Sequence, residues 1–392
     1  MSFEIVDQAA RSTPDVARVR IRDFDVSVVN ALRRVILSKV PNVGFAFDSG
    51  YHGPDPPIRI HVNDTPLNNE IMQHRMSLVP VRLSLEEIRD WDPERYRFVI
   101  DKTNTRADAL LPVTSADIQV IDATTDEPLE SMRKRLFPPN PITKDYIMLT
   151  KLHVNKTARF HAEMRAVVGD GKRNASFGMV STCAYANVVD EALAEKEREK
   201  IRAAAESDAQ AERAVRKFDT LDVQRKFQTN RYREPNHFLF NIVSECAVPA
   251  LAILGTAIDV LATLLERLVD TGDDQGDDML DVREEAPGLF VLHTTGADHT
   301  EGNVIQAILF NHVVRETHPS LPQELRDHKL KYIGYNVPHP LETRMIVKFT
   351  GRDIDDVGVA RRVIAAGVRH VATVVRRDVE AEWIKTYAMY KK

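Results

Sequence analysis

Two far-separated stretches of this chain carry the same ordered pattern, and any fold has to accommodate both. In the first, Ala17–Phe24 alternates apolar residues with arginines as a half-buried strand does, and a helix opened by Ser27-x-x-Asn30 follows at once. In the second, a strand over Leu289–Thr294 is followed by a helix from Thr300 to about Val314, opened by Thr300-x-x-Asn303. Each half then supplies a Val-Pro pair, Val40-Pro41 and Val337-Pro338, and each closes with a long helix. The first closing helix carries Ala250, Leu254, Ala257, Ile258, Leu261, Leu265 and Leu268 on one face; the second carries Val357, Ala360, Ile364, Val371, Val375 and Val379. An ordered echo of this kind predicts an internal duplication. Copies with such apolar helices pair about a pseudo-twofold axis, so the expected fold class is α+β, an intramolecular pseudo-dimer.

The intervening segments differ in character. Residues 42–62 read as strands broken by a turn at 53–57, and Leu67–Leu78 reads as a helix closed by Pro80. Residues 95–185 read as strand-rich, with a hairpin around Gly169-Asp170-Gly171. Residues 190–217, dense in both charges and free of Gly and Pro, predict one solvated helix. Charge is distributed unevenly. Residues 270–285 hold eight acids against Arg283 alone, so the net charge of −5 leaves the rest of the chain slightly basic. The acidic stretch has a linker's composition, and the remainder lacks the electrostatic footprint of a chain that grips nucleic acid by itself.

Strings that imitate catalytic motifs have plainer explanations. Asp23-Phe24-Asp25 sits where a strand hands over to a helix, where an Asp cap is expected. Gly272-Asp273-Asp274 and Gly276-Asp277-Asp278 fall in the linker, with nothing rigid to hold a metal. Gly171-Lys172 lacks the earlier glycine and the following Ser or Thr of a phosphate loop. Two cysteines, Cys183 and Cys246, exclude a disulfide framework or a cysteine-rich metal site, and His293 with His299 could in principle share an ion but is expected in surface or capping roles. The expectation is no catalytic residue, no metal and no cofactor. No apolar run is long enough for a membrane span, and no secretory signal is expected.

The string from Asn30 through Arg33-Arg34 to Val40-Pro41 resembles the signature of the α-like subunits of cellular RNA polymerases, specifically the larger α-like partner of archaeal and eukaryotic enzymes. Asn69-Glu70-x-x-x-His74-Arg75-x-x-Leu78-Val79-Pro80 resembles a second helix of that subunit. Asp145–Lys172 and Phe238–Leu268 resemble its hairpin region and closing helix. Beyond the linker, Asp298-His299-Thr300-x-Gly302-Asn303, then Gly334-Tyr335-x-Val337-Pro338-His339-Pro340-Leu341-Glu342, resembles the small α-like partner.

The resemblance implies a first dimerisation half over 1–48 and 228–270, a mainly β inserted domain over 49–227, a linker over 271–286 and a second half over 287–392. Asn30, Leu32, Ile36, Asn303, Ile305 and Ile308 would form the dimerisation core. His299, Thr300, Gly302, Pro338, His339 and Pro340 would carry the second-half motif. Arg33 and Arg34 are costly to bury alone, so at least one of them is expected on a carboxylate or carbonyl of a neighbouring subunit, the alternative being a solvated surface. By the resemblance, Glu70, His74 and Arg75 would face the second-largest polymerase subunit or a small zinc-binding subunit. The implied function is that of a non-catalytic assembly platform, with DNA met only through the complex, no membrane and no homo-oligomer required. Joining two partners that cells make separately resembles the polymerases of large DNA viruses, which implies a cytoplasmic location and the virion. The alternative is a stand-alone DNA-binding regulator using Arg18, Arg20 and Arg22 with Arg33 and Arg34.

Overall fold

The computed structural model describes residues 1–6, 15–47, 56–106, 108–154, 157–269, 280–339 and 344–391. The turn expected at 53–57 falls partly outside these residues. Wholly outside them are the acidic strings at Gly272 and Gly276, and Pro340, Leu341 and Glu342 of the second-half motif.

Along the chain, strands β1 (Ser2–Ile5) and β2 (Val16–Arg22) lead into helix α1 (Val26–Ser38). Strands β3 (Asn42–Phe45) and β4 (Ile58–Asn63) precede helices α2 (Asn69–Ser77) and α3 (Leu85–Arg89), which Asn68 and Ser84 cap. Then come β5 (Tyr96–Thr103), β6 (Leu111–Thr114), β7 (Gln119–Asp122) and helix α4 (Glu130–Leu136). Strands β8 (Met148–Leu152), β9 (Arg159–Met164), β10 (Ala166–Gly169) and β11 (Val180–Asn187) follow. Helices α5 (Glu191–Ala203) and α6 (Asp208–Lys217) separate them from β12 (His237–Ser244) and α7 (Ala250–Glu266). The last part holds β13 (Asp281–Ala286), β14 (Leu289–Thr295), α8 (His299–Leu309) and α9 (Gln323–Asp327). It ends with β15 (Leu330–Asn336), β16 (Arg344–Gly351), α10 (Val357–Thr373) and α11 (Glu380–Lys391).

The chain divides into two compact units. One comprises Met1–Ile36, Thr182–Val243 and Ala250–Lys392; the other comprises Leu37–Ser181 and Ser244–Pro249. Residues 182–227, assigned from the sequence to the inserted domain, cluster with the first unit.

Within the first unit two four-stranded sheets share one connectivity, β1-β2-β12-β11 and β13-β14-β16-β15. In each, the second strand in space feeds a helix (α1 after β2, α8 after β14). The third feeds a long apolar helix (α7 after β12, α10 after β16). Strand alternation supplies the inward faces: Ala17, Val19 and Ile21 of β2 and Phe238, Phe240 and Ile242 of β12 are fully buried. Helix α10 packs against α7 and α8, and α11 packs against α7 and β1. Trp383 of α11 meets Phe3 of β1 edge-on at 5.4 Å, and Phe3 in turn meets Phe24 at 4.9 Å. Gly255 of α7 makes room for this, because a Cβ there would lie 2.8 Å from the Trp383 indole nitrogen. The last helix of the chain is thereby locked onto its first strand.

The second unit is built on the sheet β4-β9-β5-β7, with the pairs β10-β3 and β6-β8 beside it. Phe45, Phe98 and Phe137 fill its centre at ring separations of 5.1 and 6.1 Å for the two contacts of Phe98. Helix α2 seals it with Met72 and Met76, both fully buried.

Several expectations need correcting. Gly169-Asp170-Gly171 does not close a hairpin, since β10 pairs with β3 and β11 lies beside β12. A Cβ at Gly171 would stand 2.3 Å from the Leu37 carbonyl oxygen, and one at Gly169 within 2.8 Å of the Phe177 ring. These close approaches turn the chain away. The helix over 190–217 is two helices: Ser207 accepts a hydrogen bond from the Gln210 amide and starts α6 afresh. The stretch read as linker already contains a strand. β13 is an edge strand with only Val282 and its neighbour Leu280 turned inward, so main-chain pairing to β14 suffices and its charges stay in water.

Candidate functional site

The geometry of interest in the first unit is the seam between elements of the two sequence halves. Asp25 caps α1 by accepting from the Ser27 amide at 2.8 Å, and its other oxygen accepts from Asn311 Nδ2 at 2.8 Å. The capping expectation for this acid is met, and the same carboxylate reaches across to the segment after α8. Asp23 is likewise engaged, accepting from Asn236 Nδ2 at 3.0 Å. Farther along α1, Arg34 Nε donates to Thr300 Oγ1 at 2.9 Å, and its guanidinium lies 3.8 Å from Asp298. Arg34, expected on a neighbouring subunit, is thus engaged within the chain by the cap of α8. Arg33 donates to Asn30 Oδ1 at 3.0 Å on its own helix.

Of the residues expected in the core, Leu32, Ile36, Ile305 and Ile308 are buried, whereas Asn30 and Asn303 are half-buried. Asp298, Thr300 and Glu301 form the α8 cap: the Thr300 amide donates to Asp298 at 2.7 Å and the Asp298 amide to Glu301 at 2.9 Å. Gly302 is required by packing, because a Cβ there would lie 2.4 Å from the Tyr335 ring and 2.7 Å from Met345 Sδ. His299 is exposed and 3.3 Å from the Tyr335 hydroxyl, while His293 faces Arg344 at 3.0 Å. Those two histidines therefore have different partners. Pro338 and His339 are exposed after β15.

Two arginines at the seam escaped sequence reasoning. Arg315 donates to Glu234 and Asn311 at 2.8 and 2.9 Å and stacks over Tyr232 and Phe310. Burial opposes ionisation of Glu234, but Arg315 and Asn230 outweigh it and hold the carboxyl below its usual range. Arg376, in the wide turn joining α10 to α11, donates to Glu266 at 2.9 and 3.0 Å, Asp259 at 2.5 Å, Thr263 at 3.2 Å and Glu380 at 3.1 Å. Its pKa is raised, chiefly by Glu266. One guanidinium thus fastens α7 to the end of the second half. Neither cluster has a sequence signature, since apart from Glu380, one turn from Arg376, the acids lie 81 to 117 residues away. An open cleft of about 680 Å³ borders the seam, lined in part by Asp25, Val28, Glu234, Gln306, Ile308 and Asn311.

In the second unit, α2 presents Glu70, Ile71, His74, Arg75 and Leu78 to solvent, with Ile71 and Leu78 45% and 55% exposed. Arg75 is oriented by donating to the Met148 carbonyl at 2.9 Å, and His74 lies 5.8 Å from Phe47. This face mixes charge with uncovered apolar surface, a composition suited to a protein partner. The basic strand edge is less free than its sequence suggests, because Arg20 and Arg22 both pair with Glu4, at 3.1 and 2.8 Å. Among the described residues no helix is long and apolar enough to cross a membrane.

The arrangement defines a class: an α+β chain whose binding features are helix seams and exposed helix faces. The chain belongs to the RNA polymerase Rpb3/Rpb11 dimerisation domain family, which it matches over residues 18–265. It is 29% identical over 188 residues to DNA-directed RNA polymerases IV and V subunit 3B of Arabidopsis thaliana, covering 44% of this chain and 53% of that one. It is 37% identical over 82 residues to DNA-directed RNA polymerases II, IV and V subunit 3 of the same plant, covering 20% and 23%. The matches thus span about half, or less, of those relatives' length.

Proposed function

We propose that this chain is the assembly platform of a multisubunit DNA-dependent RNA polymerase, with both α-like partners joined in one polypeptide as an intramolecular pseudo-dimer. The observation that carries the reading is the shared connectivity of the two sheets, each with its short capped helix and its long apolar helix, in a chain whose first part belongs to a polymerase dimerisation family. The two halves occupy the unit made of 1–36, 182–243 and 250–392, with β13 opening the second half, and the inserted domain is essentially 37–181. Asn30, Leu32, Ile36, Asn303, Ile305 and Ile308 form the dimerisation core, supported by the Asp25–Asn311 and Arg34–Thr300 bonds that link the halves.

On this reading the chain is a structural subunit and no enzyme by itself. It needs no second copy, because the partner half is covalently present at an effective concentration on the order of millimolar. Glu70, His74 and Arg75, with Ile71 and Leu78 beside them, are the docking face for the second-largest subunit or a small zinc-binding subunit. Arg33 is a second contact candidate, and DNA is met only through the complex. The joined halves resemble those of large DNA virus polymerases, so the cytoplasm and the virion are its proposed locations.

Affinity purification of the tagged chain from its natural source tests this directly. Two very large subunits and several small ones, with template-dependent RNA synthesis in the eluate, are the expected result. A clean monomer that binds DNA with steep salt dependence would overturn it in favour of a stand-alone regulator.

A further inference from the structure

Three histidines converge from separate elements of the second half. His312 lies in the turn that continues α8, His318 in the following loop, and His370 on α10. Their ring centroids are 4.5 Å (His312–His318), 5.0 Å (His318–His370) and 5.3 Å (His312–His370) apart. One ring nitrogen of each lies within 4.8 Å of the other two, and His312 Nδ1 is 3.0 Å from His370 Nε2. The nitrogens of two imidazoles bound to one tetrahedral zinc ion stand about 3.3 Å apart, given bond lengths of about 2.0–2.1 Å.

We propose that His312, His318 and His370 form a site for one borderline divalent cation of the zinc class. Three imidazoles without a thiolate or carboxylate match the preference of zinc and cobalt over calcium or magnesium. The His312–His370 pair already has ligand spacing, and with its ring nitrogen within 4.8 Å of theirs His318 has at most about 1.5 Å to close for the third bond. His318 is held for this by its Nδ1, which lies 2.7 Å from the Ser320 carbonyl oxygen. A proton donated there leaves Nε2 as the ligand, with the far ring nitrogen fixed on a backbone carbonyl as metal-bound imidazoles commonly are. His312 also lines the cleft beside the seam, which leaves room for water in the fourth position. A bound ion would clasp the turn after α8 to α10.

The test uses the full chain, stripped with a chelator and titrated with zinc by calorimetry, with cobalt as the spectroscopic probe. One equivalent should bind, raise the melting temperature and, as cobalt, give the absorption of a tetrahedral site. His318→Ala, on a loop, and His370→Gln should each weaken binding by about two orders of magnitude. His61→Ala, in the more exposed His61–His161–Glu163 group, should leave binding unchanged. Circular dichroism of each variant without metal establishes that it folds. Absence of stoichiometric binding by the folded wild-type chain overturns the proposal, as does binding that survives both site variants or is lost in His61→Ala.

Discussion

At the scale of single residues, positions that read alike in the sequence have different physical duties. Gly302 shows two effects in opposition. Replacing a helical glycine by alanine normally gains up to about 1 kcal/mol, but here the added carbon would enter the Tyr335 ring and Met345. Overpacking costs about 1–3 kcal/mol, so Gly302→Ala should lower the urea midpoint, whereas a rise would mean α8 sits farther from β15 and β16. Cys183 gives a pH signature. Burial pushes its thiol from 9.0 up to about 12, against the opposing pull of Arg33. A raised pKa in the folded state means that this contribution is complete below about pH 9 and is lost as pH climbs towards 12. The stability difference between wild type and Cys183→Ala should therefore shrink by about 1 kcal/mol between pH 8 and pH 10. A constant difference would show that the thiol ionises freely in the native protein.

At the scale of elements, what stands out is how much of α7 is buried on more than one side. Leu251, Ile253, Leu254, Ile258, Leu261 and Leu265 are all covered, and Arg376 then fixes the helix from its polar edge. The guanidinium is one-third exposed, which screens it, but it serves three carboxylates. Arg376→Met should cost about 1–2 kcal/mol, with the loss diminishing at high salt. Arg376→Lys should recover only part, since a single ammonium nitrogen lacks the planar fork that puts Nε and Nη2 on the two Glu266 oxygens. Equal stability of all three proteins at low salt would remove the network from the account. Helix α2 makes the opposite forecast: Ile71→Asp combined with Glu70→Lys should leave the melting temperature within a degree or two and abolish co-purification of the large polymerase subunits. Retained co-purification would move the docking face elsewhere.

The elements legible in the sequence were those set by local chemistry. The stripes of α1 and α7, the Asp25 cap and the strand alternation of β2 all answer to spacing over a few residues. What stayed hidden depends on distant partners. The β10–β3 pairing is decided by where Gly171 meets the end of α1, β13 by the edge it completes, and Arg376 by acids on a helix of the other half. The three-histidine cluster was invisible for the same reason, because His370 follows His318 only after a strand pair and most of a helix.

At the scale of the whole molecule, the question is whether the linker does more than hold two halves near each other. If the halves are partners fused at one-to-one stoichiometry, their association should rest on burial and on the bonds described above. Thr386 of α11 even donates to the Phe3 carbonyl at the first strand, and Trp383 meets the Phe3 ring edge-on. Large aliphatic side chains contribute about 1.5–3 kcal/mol each when buried, and α7 and α10 together bury many. That gain exceeds the few kcal/mol of effective concentration that a covalent connection supplies at micromolar protein. A protease site placed between Gly272 and Gly276 should therefore yield two fragments that still co-elute after cleavage and separate only in denaturant. Fragments that part at micromolar concentration in native buffer would show that the connection itself holds the halves together, and the reading of two self-sufficient dimerisation partners would fall with it.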